Sequence, residues 1–479
     1  MTAKHFIGNA WISNGDIIYT KSPSDQSQIC DYHKGSQSTL EDAIHSARTA
    51  FESDQWKSRS RLRAQFLIEL ADGIRSVEEQ LVLMITSESG KVISQVRHEV
   101  KAAINECIYY AGLSRAQFGR VAEFDSGQQS LFTREPIGVA AIIVPWNAPA
   151  TLLIRSLAPA VAAGCTAVIK PAHESAGSHG ILMQCIARCS SLVPGAINSV
   201  NDGGIAMSQM LVSHPEIDVI SYTGSTATGK KIMEAAAGSL KRLSLELGGK
   251  SPAIIFEDAS IDQAIDEIVR GAMPHSGQMC TAIGRVLVPK NLHSQVVALL
   301  VNRLSELKIG HALSSDSQIG PLINEAAAER YSKFVDQAKK DGEMHLTGER
   351  LDSDQFGSAC YVSPTVASID DVNHSLVQTE LFSPFLLVET FVDKDEAIHR
   401  ANSTTYGLSA SVYTKTTKWA QRAARQIKAG TVWINCHNRL MVEAETGGYR
   451  TSGLGRLHGV EGLAPFLETK HIYSEFGEW

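Results

Sequence analysis

The chain has 479 residues, 43% of them hydrophobic, which exceeds what a single hydrophobic core usually holds and therefore predicts two or more domains. A formal net charge of -7, with 20% charged residues, excludes the strongly basic surface that nucleic acid or an anionic membrane would need. The first residues lack an apolar signal region, and no later apolar run reaches the length of a membrane span. We expect a cytoplasmic protein whose partner is a small molecule.

The cysteine pattern indicates free thiols rather than disulfides or metal. The eight cysteines are scattered along the chain without a CxxC pair, as is typical of a reducing compartment. His179, Cys185 and Cys189 are close in sequence, but their spacing matches no zinc pattern. We interpret these three as buried helix residues and predict no metal site.

Helices are predicted in the first part of the chain. Ser38 and Glu41 have the spacing of a capping box ahead of a helical apolar stripe, so a first helix is expected to begin there. A second stripe runs from Leu62 to Leu81, and a third carries Val96 to Ala111. Three helices are therefore predicted before the first long strand.

From Gly138 onward the pattern changes to short apolar runs, separated by helical or Gly/Pro-bearing segments. Such alternation is typical of a parallel, doubly wound α/β sheet. A second series of the same kind begins at Pro252 and predicts a second α/β domain. Because no long linker separates the two, we expect them to pack closely with a cleft between them.

One cysteine lies in a distinctive setting. Cys280 is in the segment GAMPHSGQMCTAIGR, from Gly271 to Arg285, which shows little helical or strand periodicity. Such a loop can present a thiol to a cleft. The alternative is an inert buried cysteine, the commoner role of this residue type.

The run from Val219 to Ala237 predicts a strand, a tight turn at Gly224 and a helix whose first amide groups are free. A helix start of this kind attracts phosphate. The spacing GSTATG departs from GxGxxG, and Ser225 is equally a good N-cap residue. An ordinary strand-to-helix turn is therefore the alternative.

Three polar residues follow apolar strands. Lys170 ends one strand, where it can reach a ligand at the edge of the sheet, or be a solvated lysine. Glu246 precedes two glycines, where apolar surroundings can raise its pKa toward that of a general base, or where it can be paired in a salt bridge. The Asn147 amide can donate to a developing oxyanion, or cap a helix.

Taken together, the motifs resemble the aldehyde dehydrogenase superfamily, in its NAD(P)-dependent, non-acylating form, over nearly the whole chain. They are PWN at 145–147, Lys170-Pro171, YTGSTATG from Tyr222, LELGGKSP from Leu245, GQMC ending at Cys280, ELFSP from Glu380, NSTTYGLSASVYT from Asn402 and GGYRTSGLGR from Gly447.

The resemblance implies two Rossmann-like domains and a small β element. Residues 1–117 and 137–247 would form the cofactor-binding domain and residues 248–448 the catalytic domain. Residues 118–136 and 449–479 would form an oligomerisation element with the C-terminal tail, giving a homodimer or homotetramer.

The resemblance also implies catalytic roles. Cys280 would attack the aldehyde as a thiolate and form a thiohemiacetal, then a thioester. The Asn147 side chain and the Cys280 amide would hold the oxyanion, and Glu246 would activate the hydrolytic water. Glu380 would hold the nicotinamide ribose and Phe382 would place the ring. The full set of implied cofactor-binding positions is Pro145, Trp146, Lys170, His173, Gly224, Ser225, Gly229, Leu247, Glu380 and Phe382.

The implied substrate-binding positions are Arg155, Met279, Thr281 and Thr446. Arg155 stands where semialdehyde and some aromatic aldehyde dehydrogenases carry arginine, so it can clamp a polar substrate, or make a structural salt bridge. Pro274 replaces a second arginine of the semialdehyde enzymes, and Thr446 replaces a phenylalanine of the pocket wall. We expect a polar, aromatic or ω-semialdehyde from a catabolic pathway.

Two further positions depart from the family pattern. His173 stands where many relatives have an acid that holds the ribose 2′-hydroxyl, which leads to a slight preference for NADP over NAD. Ser156 replaces a lysine and can alter the environment of Glu246. The alternative functions are a CoA-acylating relative, a cysteine esterase without redox chemistry, and an inactive homologue.

Overall fold

The structure is a computed structural model that describes residues 2–116, 119–125 and 127–476. The predicted boundary between residues 117 and 118, and residues 477–479 of the predicted tail, lie outside the described residues. Within the described ranges, every helix is too short or too polar to span a lipid bilayer.

The described N-terminal part contains short strands followed by helices. The strands, which the sequence did not predict, are β1 (Thr2–Ala3), β2 (His5–Ile7), β3 (Ala10–Ile12), β4 (Ile17–Lys21) and β5 (Gln28–His33). The helices are α1 (Gln37–Glu52), α2 (Ser60–Ser76), α3 (Glu78–Ser89) and α4 (Ile93–Ser114).

The start of α1 differs from the prediction. Its N-cap is Ser36, not Ser38, and the Ser36 side chain accepts a hydrogen bond of 3.2 Å from Thr39 N. The Thr39 hydroxyl accepts in return from Ser36 N at 3.2 Å. The predicted capping box of Ser38 with Glu41 is wrong. The side chain that bonds back to the N-cap amide is the Thr39 hydroxyl, whereas the capping rule expects a Glu or Gln side chain at that position.

The stripe from Leu62 to Leu81 is two helices rather than one. Val77 separates α2 from α3 with φ of -117° and ψ of 18°, outside the helical region. Glu78 and Glu79 then occupy the first turn of α3, where negative charge is favoured. Apolar periodicity continues across the break, so four helices, not three, precede the strand that begins at Val139.

The middle of the chain alternates strands and helices as predicted. Its elements are β6 (Arg120–Glu123), β7 (Gln128–Pro136), β8 (Val139–Ile143), α5 (Pro149–Ala163), β9 (Thr166–Lys170), α6 (Ala176–Ala187), β10 (Ile197–Ser199), α7 (Ala206–Ser213), β11 (Val219–Thr223), α8 (Thr226–Ala237) and β12 (Arg242–Glu246).

The remaining elements form the second series. They are β13 (Ser251–Ile255), α9 (Ile261–Ala272), β14 (Ile283–Pro289), α10 (His293–Ser305), α11 (Glu325–Asp341), β15 (Glu343–Leu346), α12 (Ser353–Phe356), β16 (Thr365–Ser368), α13 (Ser375–Gln378), β17 (Phe385–Phe391), α14 (Lys394–Ala401), β18 (Ser409–Tyr413), α15 (Thr417–Gln426), β19 (Thr431–Ile434), β20 (Gly453–Leu454) and β21 (Leu467–Glu475).

The first large sheet has the strand order β20-β12-β11-β8-β9-β10-β2-β3. Its central strands, β12 to β10, are parallel, and β20 and β2 pair with them antiparallel on the two sides. Helices α2 to α6 pack on one face and α1, α7 and α8 on the other. Every residue of β8, β9 and β11 is buried, as expected for parallel strands covered on both faces. The predicted doubly wound sheet is confirmed.

The second large sheet has the order β15-β16-β17-β14-β13-β18-β19 and is parallel except for β15. A smaller antiparallel sheet joins β6, β7 and β21. It lies where the sequence places an oligomerisation element.

The carboxyl ends of neighbouring strands bring the polar residues together. Lys170 ends β9 beside Ile143 of β8, and Thr223 of β11 pairs in register with Glu246, the last residue of β12. In parallel α/β sheets ligands bind at this edge. The second sheet contributes the segment between α9 and β14, which carries Cys280.

Candidate active site

Cys280 is one of two cysteines that are not buried. Of the eight cysteines, Cys280 and Cys436 are partly exposed and the other six are buried. The alternative of a fully buried, inert cysteine does not hold for Cys280. Among the described residues no group of histidines, cysteines and acids can hold a metal ion.

The backbone before Cys280 is strongly constrained. Three consecutive residues have left-handed conformations, with φ of 51° at His275, 57° at Ser276 and 77° at Gly277. A Cβ atom on Gly277 would lie 2.2 Å from the carbonyl oxygen of Ser383, so only glycine fits there. Two non-glycine residues in this conformation store strain of a kind that occurs at functional sites.

Asn147 contacts the cysteine segment directly. Its side-chain amide donates a hydrogen bond of 3.1 Å to the carbonyl oxygen of Gln278. The Gln278 side chain in turn accepts from Ile323 N at 2.9 Å, which anchors the segment to the second domain. Helix capping does not explain Asn147, because α5 begins at Pro149 with Ala148 as its N-cap.

Glu246 is a buried carboxyl group at the end of β12. It is 5% exposed, and its Oε1 atom has no hydrogen-bond partner among the described residues. Burial raises the pKa of Glu246 to about 7, against the opposing effect of the Arg155 and Arg456 guanidinium groups. A carboxyl group with such a pKa can accept and release a proton near neutral pH. The alternative of a salt-bridged structural glutamate is not what the structure contains.

One cation, the Arg155 guanidinium, acts electrostatically on both the Cys280 thiol and the Glu246 carboxyl group. Desolvation raises the pKa of Cys280 to about 11, while Arg155 acts in the opposite direction and favours the thiolate. Glu380 and Glu246 raise the thiol pKa further, because negative charge disfavours a second anion. Arg155 is therefore the cation that favours the charged form of both groups.

Arg155 itself lies on α5, 8% exposed, and donates to the Thr223 hydroxyl at 3.3 Å. No described carboxylate forms an ion pair with it, and its Nε atom has no partner among the described residues. The predicted alternative, a structural salt bridge, is therefore not present. A buried guanidinium with unused donors can bind an acceptor group on a ligand.

The turn between β11 and α8 has the predicted form. Ser225 is the N-cap of α8, and its hydroxyl accepts from Thr228 N at 3.3 Å. A Cβ atom on Gly224 would lie 2.1 Å from the Tyr222 hydroxyl, and one on Gly229 would lie 2.6 Å from Leu247. The two glycines thus allow the chain to pass close to its neighbours at the start of the helix.

Lys170 and His173 lie at the same edge of the sheet. The Lys170 ammonium donates to the carbonyl oxygen of Pro171 at 3.1 Å, and burial lowers its pKa against the effect of Asp202 and Glu174. His173 has a side chain that is 53% exposed and lies 3.3 Å from the Glu174 carboxylate. Sequence reasoning noted the histidine and missed the acid beside it, although HES shows both.

Glu380 and Phe382 approach the first domain from the second. Glu380 accepts a hydrogen bond of 3.1 Å from Gly249 N, and burial raises its pKa to about 7. Phe382 has φ of 50°, and its ring meets Trp146 edge-on with 6.0 Å between centroids. The Trp146 ring also meets His275 at 5.4 Å. Pro145 precedes this cluster, directly after the buried Val144.

The predicted substrate residues Met279 and Thr281 flank Cys280, and both contact Asn438. Thr446 lies on the loop between β19 and β20, where it forms a backbone bridge with Leu457, and its hydroxyl has no partner among the described residues. Sequence reasoning missed Asn438, which ends the motif WINCHN at the carboxyl end of β19.

Comparison with known proteins decides the family. The model of the aldehyde dehydrogenase family matches residues 11–472. The chain belongs to the aldehyde dehydrogenase family. Betaine aldehyde dehydrogenase of Bacillus subtilis (strain 168) is 34% identical over 478 residues, covering 99% of this chain and 97% of that protein. Retinaldehyde dehydrogenase 3 of Homo sapiens is 33% identical over 481 residues, covering 99% and 93%.

Among solved structures, betaine aldehyde dehydrogenase from Staphylococcus aureus in complex with NAD+ aligns with a TM-score of 0.97. The two chains are 32% identical, and the alignment covers 100% of this chain and 96% of that one. The fold predicted from the sequence is confirmed, and the protein is an aldehyde dehydrogenase, an oxidoreductase that acts on the aldehyde group.

Two neighbouring residues of α5 lie close to the candidate site. Ser156, where the sequence resemblance leads us to expect a lysine, is 1% exposed, and its hydroxyl has no partner among the described residues. Arg155, the preceding residue, acts on both Glu246 and Cys280.

Proposed function

We propose that this aldehyde dehydrogenase oxidises its substrate to the free carboxylic acid, with NAD or NADP as hydride acceptor, through a covalent intermediate on Cys280. The observation that carries the proposal is the convergence of a partly exposed thiol, a side-chain amide and a buried carboxyl group. These three groups, on Cys280, Asn147 and Glu246, lie on different elements of the fold. The charge of Arg155 lowers the pKa of both Cys280 and Glu246.

In the first step the Cys280 thiolate attacks the carbonyl carbon. The new S–C bond converts the carbonyl oxygen to an oxyanion, which the Asn147 amide and the Cys280 backbone N–H stabilise. Removing one donor of this type typically lowers turnover by about 10² to 10³. Loss of hydride from the thiohemiacetal carbon then leaves a thioester on Cys280.

In the second step Glu246 acts as the general base. With a pKa raised to about 7 by burial, it is partly ionised near neutral pH and can take a proton from water. The hydroxide equivalent adds to the thioester, and collapse of the adduct releases the acid and the Cys280 thiol. This base favours hydrolysis over transfer of the acyl group to coenzyme A.

The residues at the edge of the first sheet fit a nicotinamide dinucleotide. The start of α8 has free amide groups for a pyrophosphate, with Ser225 at its N-cap. Gly248 leaves room for the Glu380 carboxylate, since a Cβ atom there would lie 2.2 Å from Oε2. We propose that Glu380 binds the nicotinamide ribose and that Lys170 faces the adenosine ribose. When bound, the nicotinamide accepts the hydride.

Of the two candidate cofactors, NAD and NADP, we propose that the enzyme uses NAD. The slight preference for NADP rested on His173 in place of an acid, and that preference is not confirmed. The Glu174 carboxylate lies 3.3 Å from the His173 ring and influences Lys170, so negative charge is present at this position. A carboxylate repels a 2′-phosphate and can accept from a 2′-hydroxyl. The solved relative from Staphylococcus aureus binds NAD+.

For the substrate we propose a polar, aromatic or ω-semialdehyde of a catabolic pathway. Arg155 is a buried guanidinium without an acid partner, which can bind a carboxylate or hydroxyl group. The same charge disfavours the cationic substrate for which the betaine aldehyde dehydrogenases are named. Met279, Thr281 and Thr446 would complete the pocket.

We also propose that residues 1–117 and 137–247 bind the cofactor and that residues 248–448 carry the catalytic cysteine. The antiparallel sheet of β6, β7 and β21 would serve in a homodimer or homotetramer. It exposes Ile472 and Tyr473, at 41% and 50%.

The test measures the absorbance of the reduced nicotinamide while anionic, aromatic, aliphatic and trimethylammonium aldehydes are offered with NAD and, separately, with NADP. Turnover with NAD and preference for anionic or aromatic aldehydes would support the proposal. Product formed without reduced cofactor would indicate an esterase, and product only with added coenzyme A would indicate an acylating enzyme.

A further inference from the structure

Two consecutive residues after β19 hold the residue that follows the cysteine. His437 Nε2 lies 2.8 Å from the carbonyl oxygen of Thr281, and the Thr281 hydroxyl donates to Asn438 Oδ1 at 2.6 Å. Thr281 is therefore bonded through both its backbone and its side chain to a segment from another part of the chain. Both partners lie outside the set of residues that the family motifs single out.

The direction of the His437 hydrogen bond follows from chemistry. A carbonyl oxygen only accepts, so Nε2 carries the proton and donates to Thr281. Burial lowers the pKa of His437 to about 4, and the ring is neutral near pH 7. A neutral ring has one acceptor nitrogen, Nδ1, and the Ser411 hydroxyl lies 2.5 Å from it. The Thr281 carbonyl oxygen thereby selects the tautomer, and the Ser411 hydroxyl donates to Nδ1.

The His437 imidazole is tightly packed on several sides. His437 is 3% exposed, and a Cβ atom on Gly271 of α9 would lie 2.7 Å from its ring. The Trp433 ring packs against it with 4.6 Å between centroids. Trp433 also donates to the carbonyl oxygen of Arg439 at 3.2 Å, which closes the loop that carries His437. The ring therefore has one orientation available.

Asn438 contacts the residues on both sides of Cys280. Its Nδ2 atom lies 3.8 Å from Met279 Sδ, and its Oδ1 atom binds Thr281 on the other side. Between these two residues the chain turns, with Ala282 N donating to Met279 O at 2.9 Å. Cys280 is thus enclosed in a turn whose two flanking residues both contact Asn438.

We propose that His437 and Asn438 are positioning residues of the reaction, which hold Thr281 so that the thiol and the amide of Cys280 face the aldehyde. The inference rests on the proposed role of Cys280 as nucleophile. Neither residue touches the reacting atoms; both act through Thr281. A displacement of the reacting group by about 1 Å can lower the rate of the chemical step by about 10²-fold.

The test compares His437→Phe, which keeps a ring but removes the donor, with His437→Gln, which can offer an amide donor at the same place. His345→Gln is the matched control, since His345 also bonds a serine, Ser368 at 2.8 Å, on the same sheet but away from Cys280. We expect kcat to fall about tenfold in His437→Phe, and by less than about threefold in His437→Gln and His345→Gln. KM for aldehyde and for NAD should stay unchanged, and the shape of the pH profile should be that of the parent.

An equal loss in His437→Phe and His437→Gln, or a kcat of folded His437→Phe within about twofold of the parent, would overturn the proposal. Loss of a limb of the pH profile would also overturn it, because that would make His437 an acid or base. If His437→Phe does not fold, Asn438→Leu and Asn438→Gln decide: kcat should fall about tenfold in the leucine variant, which has no acceptor for the Thr281 hydroxyl, and by less than about threefold in the glutamine variant, which keeps an amide oxygen. Equal values would reject the role of Asn438.

Cys280→Ala separates this inference from the proposed function. An inactive Cys280→Ala enzyme together with a normal His437→Phe enzyme rejects the positioning role alone. An active Cys280→Ala enzyme rejects the proposed nucleophile and, with it, the reason for holding Thr281.

Discussion

The side-chain amide of Asn147 donates a hydrogen bond of 3.1 Å to the backbone carbonyl of Gln278, two residues before Cys280. This contact joins the loop after β8 of the first sheet to the segment that enters β14 of the second. The proposed oxyanion donor, Asn147, and the proposed nucleophile, Cys280, are therefore held in one hydrogen-bonded unit, although their segments belong to different sheets.

Cys280→Ala should abolish aldehyde oxidation, because no other described thiol lies in this segment and alanine cannot form the thiohemiacetal. The measurement is the steady-state rate of cofactor reduction, with thermal unfolding to show that the variant folds. Cys436→Ala is the matched control, since Cys436 is the other partly exposed cysteine, and it should keep parental activity. Residual oxidation by Cys280→Ala above background would remove Cys280 from the role of nucleophile.

Glu246→Gln should give one rapid burst of reduced cofactor followed by slow turnover, because the thioester forms but lacks a base for hydrolysis. A positioned base typically contributes about 10² to 10⁴ to the rate. Stopped-flow absorbance resolves the burst from the steady state. Glu88→Gln is the control, since burial also raises the pKa of Glu88 to about 7, but Glu88 binds the backbone amides of Gly177 and Ser178 at the start of α6. A steady-state rate equal to the parent's would contradict the assignment of Glu246.

The steady-state rate of the parent should rise with pH through about 7, and ionisation of the Cys280 thiol, whose pKa is raised to about 11, should add a further rise at higher pH. The carboxylate is the active form of Glu246, and burial raises its pKa to about 7, so the base is mostly protonated below that value. Arg155 lowers this pKa, and Arg155→Leu should therefore move the limb to higher pH. A profile that is flat from pH 5 to 9 would not fit this assignment.

The same shift has a consequence for stability. The folded pKa of Glu246 exceeds its ordinary value of 4.5, so its contribution to stability is present below about 4.5 and is lost as pH rises through about 7. Glu246→Gln should consequently stabilise the protein at pH 8 relative to the parent and have little effect at pH 4. Urea unfolding of both proteins at the two pH values measures this difference.

Arg155→Leu should lower kcat/KM for anionic aldehydes more than for plain aliphatic ones. A hydrogen bond to a charged group contributes about 1.5 to 3 kcal/mol, which corresponds to a loss of about 10- to 100-fold. Arg155→Lys keeps the positive charge but lacks the planar, forked donors of arginine. Its kcat/KM for anionic aldehydes should therefore lie between that of the parent and that of Arg155→Leu. The measurement is kcat/KM across the aldehyde panel. An unchanged order of preference would make the arginine a purely electrostatic partner of Cys280 and Glu246.

Glu174→Gln should raise the use of NADP relative to NAD by about five- to tenfold, because it removes a negative charge near the 2′-position. The ratio of kcat/KM values for the two cofactors is the measurement. Glu41→Gln is the control, since Glu41 forms a similar pair with His214 at 3.1 Å on the face of α1. A ratio unchanged by Glu174→Gln would mean that this carboxylate does not face the adenosine ribose.

Local pattern in the sequence accounts for much of the fold and for the positions of several candidate site residues at the ends of strands. The strand, turn and helix around Gly224 were predicted within a residue or two, and Lys170 and Glu246 lie at strand ends as predicted. These features are local, because periodicity reports which residues of one element are buried. Periodicity did not reveal the break at Val77, where two adjacent helices bury the same side, or the capping role of Thr39.

The motifs and their order along the chain are enough to indicate the family and, with it, the doubly wound sheets. They also single out Cys280 as the candidate nucleophile. Only the tertiary structure decided which groups influence one another: the charge of Arg155 acts on Cys280 and Glu246, and His437 forms a hydrogen bond with Thr281, which is 156 positions away. The pKa values of the thiol and the carboxyl group depend on desolvation by residues from several elements, and a hydrogen bond depends on distance in space. Neither quantity is a property of a local stretch of sequence, so both require the folded chain.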